Sequence, residues 1–381
     1  MKVKSSEYLK AVKPILKKLL DKLLSQYPYA SILAVDSTAA DYQVTKSLTN
    51  MREDDLWCSR GFVAKVYDGE TYAEYSFNEI LEEKIDEIAA AIAATEKKLK
   101  TSAGDMPFSR YKALEDEPCV FCESTEYELS PEDMGDGEIL ERLTALKDEC
   151  LAADERVIDG GAIFQYRIYH KLFLSKNRDM EQNVMYAGGA VFAYVKKGQV
   201  VKDAMKAYSN LGGAEIMDKI QNGIKIVVKN AIDLLDSEQI TPGEYDCICC
   251  PEVTGMIAHE AFGHGVEMDM FVKDRALAKS YVGQSVASPI LNMHDGASLE
   301  ARHESATYFF DDDGVISKDT VIIKDGILQS GISDAQSAMA LGTVPTGNGR
   351  RESYKRKTYT RMTNTYFEPG KDKLEDMIAS I

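Results

Sequence analysis

Asp-Gly pairs at Asp68-Gly69, Asp313-Gly314 and Asp325-Gly326 each separate two runs rich in alternating apolar and polar residues. Asp-Gly accommodates the positive φ angles of a tight reversal, so each pair is expected to fold its flanking runs into an antiparallel hairpin. Hairpin text of this kind fills "GFVAKVYDGETYAEYSF" and "YFFDDDGVISKDTVIIKDGILQSG". A chain built on such reversals belongs with antiparallel sheets flanked by helices. The acidic run Asp311 to Asp313 lacks the alternating ligands of a calcium loop and reads as part of a turn.

The helices show in the apolar spacing. Ile15, Leu16, Leu19, Leu20, Leu23 and Leu24 make a helical stripe, with Pro14 in its first turn. Further helices are expected over 78–100, near 138–152, from about Asp203, and over 214–235. Strand text lies in "SILAV", "DYQVTKSL", "AIFQYRIYHKLFLS" and "GAVFAYVKKGQVV". The order helix, antiparallel strands, helix occurs twice, as an internal duplication would leave it. The expected fold is α+β in two domains. Residues 1–205 would lay helices on antiparallel strands, and residues 206–381 would be mostly antiparallel β with one motif-bearing helix. "DCICC", residues 246–250, is expected as a buried strand leading into that helix, and its cysteines, with Cys119 and Cys122, as small core residues.

Composition narrows the partners. Of the 381 residues 44% are apolar, enough for two packed cores, and the formal net charge of -17 disfavours nucleic acid and anionic lipid alike. No secretory h-region and no long apolar span is legible, so a cytoplasmic protein without membrane contact is expected. Seven cysteines without a leader fit reduced thiols.

The chemistry concentrates in "TGMIAHEAFGHGVEMD", residues 254–269. His259, Glu260 and His264 form H-E-x-x-x-H, one residue longer than the H-E-x-x-H of many zinc proteases. On a regular α-helix residues five apart diverge by about 140°, whereas residues four apart diverge by about 40°. A single π-type turn would bring both imidazoles to one side, and Gly263 and Gly265 tolerate the distortion. Neutral imidazoles suit zinc, and Glu260 would accept a proton from an attacking water. Taken alone, the motif reads equally well as surface or satisfied core histidines.

The surrounding residues weigh against that bland reading. "PEVTGMIAHEAFGHGVEMD", "GQSVAS", "VIIKDGILQSGISD", "VPTGNGRRESY" and "RMTNTYFEPGK" together closely resemble the TldD/PmbA family of zinc metallopeptidases, once called modulators of DNA gyrase. The likeness covers most of residues 240–380, while the first 200 residues resemble the family only in their pattern of elements. It implies a TldD-type metallopeptidase acting on small or unfolded polypeptides. By the same likeness His259 and His264 would be zinc ligands, Glu260 the catalytic base, and the partner either a second copy or a PmbA-type subunit. The family's third ligand is a cysteine C-terminal to the "RMTNTY" region. This sequence has no cysteine after Cys250, so the chain is expected to stop short of that segment. His294, His303, Glu267 and Asp269 are the substitutes at hand, and a partner chain is another.

Two alternatives accompany this reading: a metal-free, non-catalytic assembly subunit, and a nucleic-acid-linked regulator, which the acidic charge disfavours. In "GRRESYKRKTYTR", Arg350 or Arg351 could pair with a carboxylate of the substrate or of a neighbouring strand, whereas Lys355 and Lys357 read as solvated. Asn348 and Gly349 could let the backbone approach an extended peptide. Asn348, Arg350 and Arg351 are therefore the candidate substrate contacts.

Overall fold

The computed structural model describes residues 1–53, 58–102, 111–114, 116–298 and 304–381. The fold is α+β, as expected. Helix α1 (Glu7–Leu24) precedes strands β1 (Tyr29–Thr45), β2 (Thr49–Glu53), β3 (Ser59–Tyr67) and β4 (Tyr72–Phe77), and α2 (Ile85–Ser102) closes this first round. The second round runs through β5 (Cys119–Ser124), α3 (Pro131–Ala152), β6 (Val157–Ser175), β7 (Arg178–Lys197), β8 (Val200–Leu211) and α4 (Ile216–Leu235). Both rounds share one sheet in the order β4-β3-β1-β6-β7-β5, with β2 also on β1 and β8 also on β7. The long antiparallel strands β1 and β6 join the two rounds, from Ser31↔Ser175 to Thr45↔Gly161.

Strand alternation sorts the sheet's two faces. Ala30, Ile32 and Ala34 of β1 pack with the buried leucines of α1 and with Ile88 and Ile92 of α2. Further along the same face, Ala40, Tyr42 and Val44 pack with α3 and α4. On the other face, Leu33, Val35, Val63, Phe173 and Met180 receive Phe310 from the C-terminal half. Helices thus cover one face, and the C-terminal half docks on the other.

Several boundaries differ from expectation. Helix α1 starts at Glu7, where the Ser6 hydroxyl accepts from the Leu9 N–H, so Pro14 lies inside the helix and not in its first turn. Helix α3 starts at Pro131, ahead of a break at Gly135 with φ 74°. The helix expected from Asp203 is instead strand β8, whose ladder with β7 runs from Lys197↔Val200 to Tyr186↔Leu211. Pairing with a long neighbour outweighs local preference there. Residue 205 therefore lies inside β8, and α4 buries Ile220, Ile224 and Val227 against the same sheet. We accordingly propose the division between the domains in the exposed stretch 237–250 and not at 205. "DCICC" is not a strand; no described strand pairs with it, and Cys247, Cys249 and Cys250 are exposed. Cys122 is exposed as well, whereas Cys119 packs beside Phe310.

The C-terminal half contains α5 (Pro251–Ile257), α6 (Met268–Val272), β9 (Met293–Gly296), β10 (Asp319–Lys324), β11 (Ile327–Leu328), α7 (Ala335–Leu341), β12 (Gly349–Arg350), β13 (Tyr359–Thr360), β14 (Asn364–Phe367) and α8 (Leu374–Ala379). A four-stranded sheet runs β11-β10-β9-β14, and β12 pairs with β13. The reversal between β10 and β11 uses Asp325 at φ 50° and Gly326 at φ 76°, as an Asp-Gly hairpin requires. Buried Ala258, Val266, Met293, Ile323, Leu328 and Met362 make the core beneath the motif. No helix among the described residues is long and apolar enough to cross a membrane.

Candidate metal centre

Helix α5 opens with a proline, and its continuation, Ala258–Gly263, is a π-helix. The His264 N–H donates to the carbonyl of His259, five residues back, which closes the widened turn that the histidine spacing calls for. Both imidazoles consequently project from one side, with ring centroids 4.8 Å apart and planes at 80°. His259, Glu260 and His264 are exposed, and their ligand atoms all lie within 4.8 Å of one another. Two ligands about 2.0 Å from a tetrahedral centre are about 3.3 Å apart, a difference that rotation of exposed side chains covers.

Gly263 sits on the inner side of the turn. A Cβ built there would lie 2.1 Å from the Met362 sulfur and 3.1 Å from the Ala258 carbonyl. Gly263→Ala should therefore lower stability by about 1–3 kcal/mol, because the buried Met362 must give way or the turn must shift. Chemical denaturation of the variant checks this, and a change under 0.5 kcal/mol would mean that the turn has room to spare.

Beneath His264 lies a buried carboxylate. Glu267 Oε1 is 3.4 Å from His264 Nδ1, and Glu267 Oε2 is 3.5 Å from an Arg361 guanidinium nitrogen. Burial pushes the Glu267 carboxyl above its usual range, against the opposing pull of Arg361 and His264. Glu267 Oε1 has no hydrogen-bond partner among the described residues. A metal-ligating histidine commonly donates its other ring N–H to such an oxygen, so the residues present fit a borderline divalent metal such as zinc. The backbone holds this carboxylate in place, since Met268 N–H donates to the Ile332 carbonyl and Ile332 N–H to the Val266 carbonyl.

The other spare ligands stand elsewhere. His294 lies between Asp319 at 2.8 Å and Glu368 at 3.2 Å, which occupies both ring nitrogens. Asp269 pairs with Lys273 at 2.9 Å. His303 lies outside the described residues.

The three candidate substrate contacts separate. Asn348 is buried, its amide donating to Asp295 at 2.7 Å and to the Arg361 carbonyl at 3.0 Å, so its polar atoms serve the interior. Arg351 is buried too, its guanidinium donating to both Glu74 oxygens at 2.9 and 2.5 Å. That pairing realises the neighbouring-strand alternative and leaves Arg351 no free edge for a substrate. Arg350 and Arg351 both line an open cleft, and of the two only Arg350 has no ion pair with a carboxylate among the described residues. Lys355 and Lys357 are exposed.

Sequence reading missed the working position of Glu267, treating it only as a spare ligand. Its spacing three residues after His264 was the available signal. It also read the Asp311–Asp313 turn as unremarkable, although all three side chains are buried. Lys65 pairs with Asp313 and Lys171 with Asp312, each at 2.5 Å, across the junction between the sheet and the C-terminal half.

Residues 242–381 match the family described as the PmbA/TldA metallopeptidase C-terminal domain. The chain is 44% identical over 127 residues to a protein of Haemophilus influenzae named a metalloprotease TldD homologue, covering 33% of this chain and 26% of that one. It is 30% identical over 217 residues to a Saccharolobus solfataricus protein named a zinc metalloprotease TldD homologue, covering 56% of this chain and 48% of that one. These matches span from about a quarter to about half of the relatives' own length. Among solved structures, a candidate modulator of DNA gyrase from Thermotoga maritima superposes with a TM-score of 0.73 at 17% identity, over 96% of this chain and 80% of that one. TldE from Thermococcus kodakarensis gives a TM-score of 0.70 at 17% identity, over the same shares. At that identity the two structures speak for the fold.

Proposed function

We propose that this chain, which belongs to the TldD/PmbA family, carries the metal site of a zinc peptidase that cleaves small or unfolded polypeptides. The π-turn that gathers His259, Glu260 and His264 is the observation that carries this reading. The metalloprotease names of the relatives support the reaction class, and the zinc in one of those names supports the metal. A bound zinc would supply positive charge that polarises the scissile carbonyl and makes water more acidic.

The remaining steps belong to the chain. His259 and His264 would hold the metal, and Glu267, with Oε1 3.4 Å from His264 Nδ1, would accept that ring's N–H and fix its orientation. Glu260, with Oε1 4.0 Å from His259 Nε2, accepts a proton from the water as its oxygen attacks the peptide carbon. The same proton then passes to the leaving amine as the C–N bond breaks. Two imidazoles fall short of the three protein ligands a catalytic zinc takes, so we assign the third to a residue outside this trio or to a partner subunit. The working unit in this reading is a dimer, of the chain with itself or with a PmbA-type subunit, in the cytoplasm.

Metal analysis tests the site directly. Purified chain should hold close to one zinc, and His264→Ala, prepared identically, should lose it. No zinc in either protein would overturn the catalytic reading. It would favour the metal-free assembly subunit, which the presence of only two imidazoles in the trio already makes the second choice.

A further inference from the structure

A cleft of about 700 Å³ separates the outer face of the N-terminal sheet from residues 305–312 and the segments around β12 and β13. Leu33, Val35 and Val184 give it an apolar floor, while tyrosines and basic side chains make its walls. Most of its cations are already engaged: Lys171 by Asp312, Arg351 by Glu74, and Arg361 by Glu267.

Arg350 differs. Its guanidinium has no carboxylate partner among the described residues, although the chain has 62 acidic residues against 45 basic ones. It lies close enough to the buried phenols of Tyr186 and Tyr308 for its charge to counter the upward push that burial gives both. Those phenols are committed elsewhere, the Tyr186 hydroxyl donating to the Thr307 carbonyl at 2.6 Å and the Tyr308 hydroxyl to the Gly347 carbonyl at 2.7 Å. A half-buried guanidinium with no ion pair among the described residues, at the wall of an apolar cleft, is a ready receptor for a carboxylate.

One wall of the cleft approaches the metal-site residues, none of which lines it. Arg361 lines it and touches Glu267, which in turn touches His264. We propose that this cleft is a substrate subsite in which Arg350 anchors a carboxylate of an extended peptide whose chain runs on toward His259 and His264. The inference rests on the peptidase reading only for the ligand being a peptide. The carboxylate is a C-terminal α-carboxylate or an acidic side chain, and the two share the same chemistry at Arg350.

Calorimetric titration of the metal-stripped chain tests the subsite apart from hydrolysis. The probes are an N-acetylated hexapeptide with neutral side chains and a free C-terminus, its C-terminal amide, and the amide carrying one internal Glu. At least one of the two acidic probes should bind about ten- to a hundredfold more tightly than the neutral amide. Gain with the free acid alone assigns the terminal carboxylate, and gain with the Glu peptide assigns the side chain. R350Q should abolish the difference, R350K should retain part of it, and R356Q, whose exposed arginine pairs with Glu352 at 3.7 Å, should keep it whole. Equal affinity of all three probes for the unaltered chain, including no measurable affinity, overturns the proposal, as does a folded R350Q that keeps the preference. Should R350Q not fold, the comparison of probes on the unaltered chain decides alone. A chain without zinc or activity that still shows the preference would sink the catalytic reading and leave the subsite standing.

Discussion

Glu260→Gln is expected to slow peptide hydrolysis by about 10²–10⁴-fold while leaving zinc content unchanged. Glutamine matches the size of glutamate and keeps its polarity, but it cannot accept the proton of the attacking water. The residue is exposed, so its replacement should alter stability by no more than about 0.5 kcal/mol. His264→Ala should behave differently, losing metal and activity together. The pair of variants therefore separates base from ligand. Release of new amino groups from an unfolded polypeptide reports the rate, and metal analysis of the same samples reports the site. An unchanged rate with zinc retained would place the base elsewhere. Loss of zinc from Glu260→Gln would instead make Glu260 a ligand.

The motif was legible because its constraint is local. Five-residue spacing between His259 and His264 is incompatible with a regular helix that serves one ion, and the structure contains the π-turn that resolves the conflict. Asp325-Gly326 was legible for the same reason, since the reversal depends on two residues and their φ angles. What escaped were features decided at long range. Residues 203–211 form a strand because β7 lies beside them, and the cysteines of "DCICC" are exposed because no described strand does. Asp312 and Asp313 read as part of a turn, yet their lysines come from positions 141 and 248 residues away along the chain. Arg351 finds Glu74 across 277 residues. Alternation and turn chemistry register neighbours in sequence, and a buried charge is specified by a partner that neither can see.

Those distant pairs supply the other large expectation. Lys65→Met should destabilise the fold by about 3–5 kcal/mol, because it leaves the buried Asp313 carboxylate without its cation. The Lys65 ammonium lies 2.5 Å from Asp313 and 3.1 Å from Glu74, joining β3 and β4 to the turn after Phe310. Without it, Asp313 keeps among the described residues only the Thr358 hydroxyl at 3.2 Å and the Ala335 N–H at 3.2 Å. Glu74 keeps Arg351. Burial alone would raise the Glu74 carboxyl, but Lys65 and then Arg351 outweigh it and hold the group at about 2. A carboxyl held below its unfolded value of about 4.3 stabilises the fold above that pH, and the contribution fades as pH falls toward 2. Removing Lys65 raises the Glu74 carboxyl, so the acid limb of the stability profile should move to higher pH in the variant. Denaturant titrations between pH 3 and pH 7 measure both effects. Adding Asp313→Asn to Lys65→Met should restore part of the loss, since the orphaned charge leaves with its partner. A single variant within about 1 kcal/mol of the parent, with no shift of the acid limb, would mean that water already reaches this cluster and that the sheet and the C-terminal half are held together by Phe310 and its apolar neighbours.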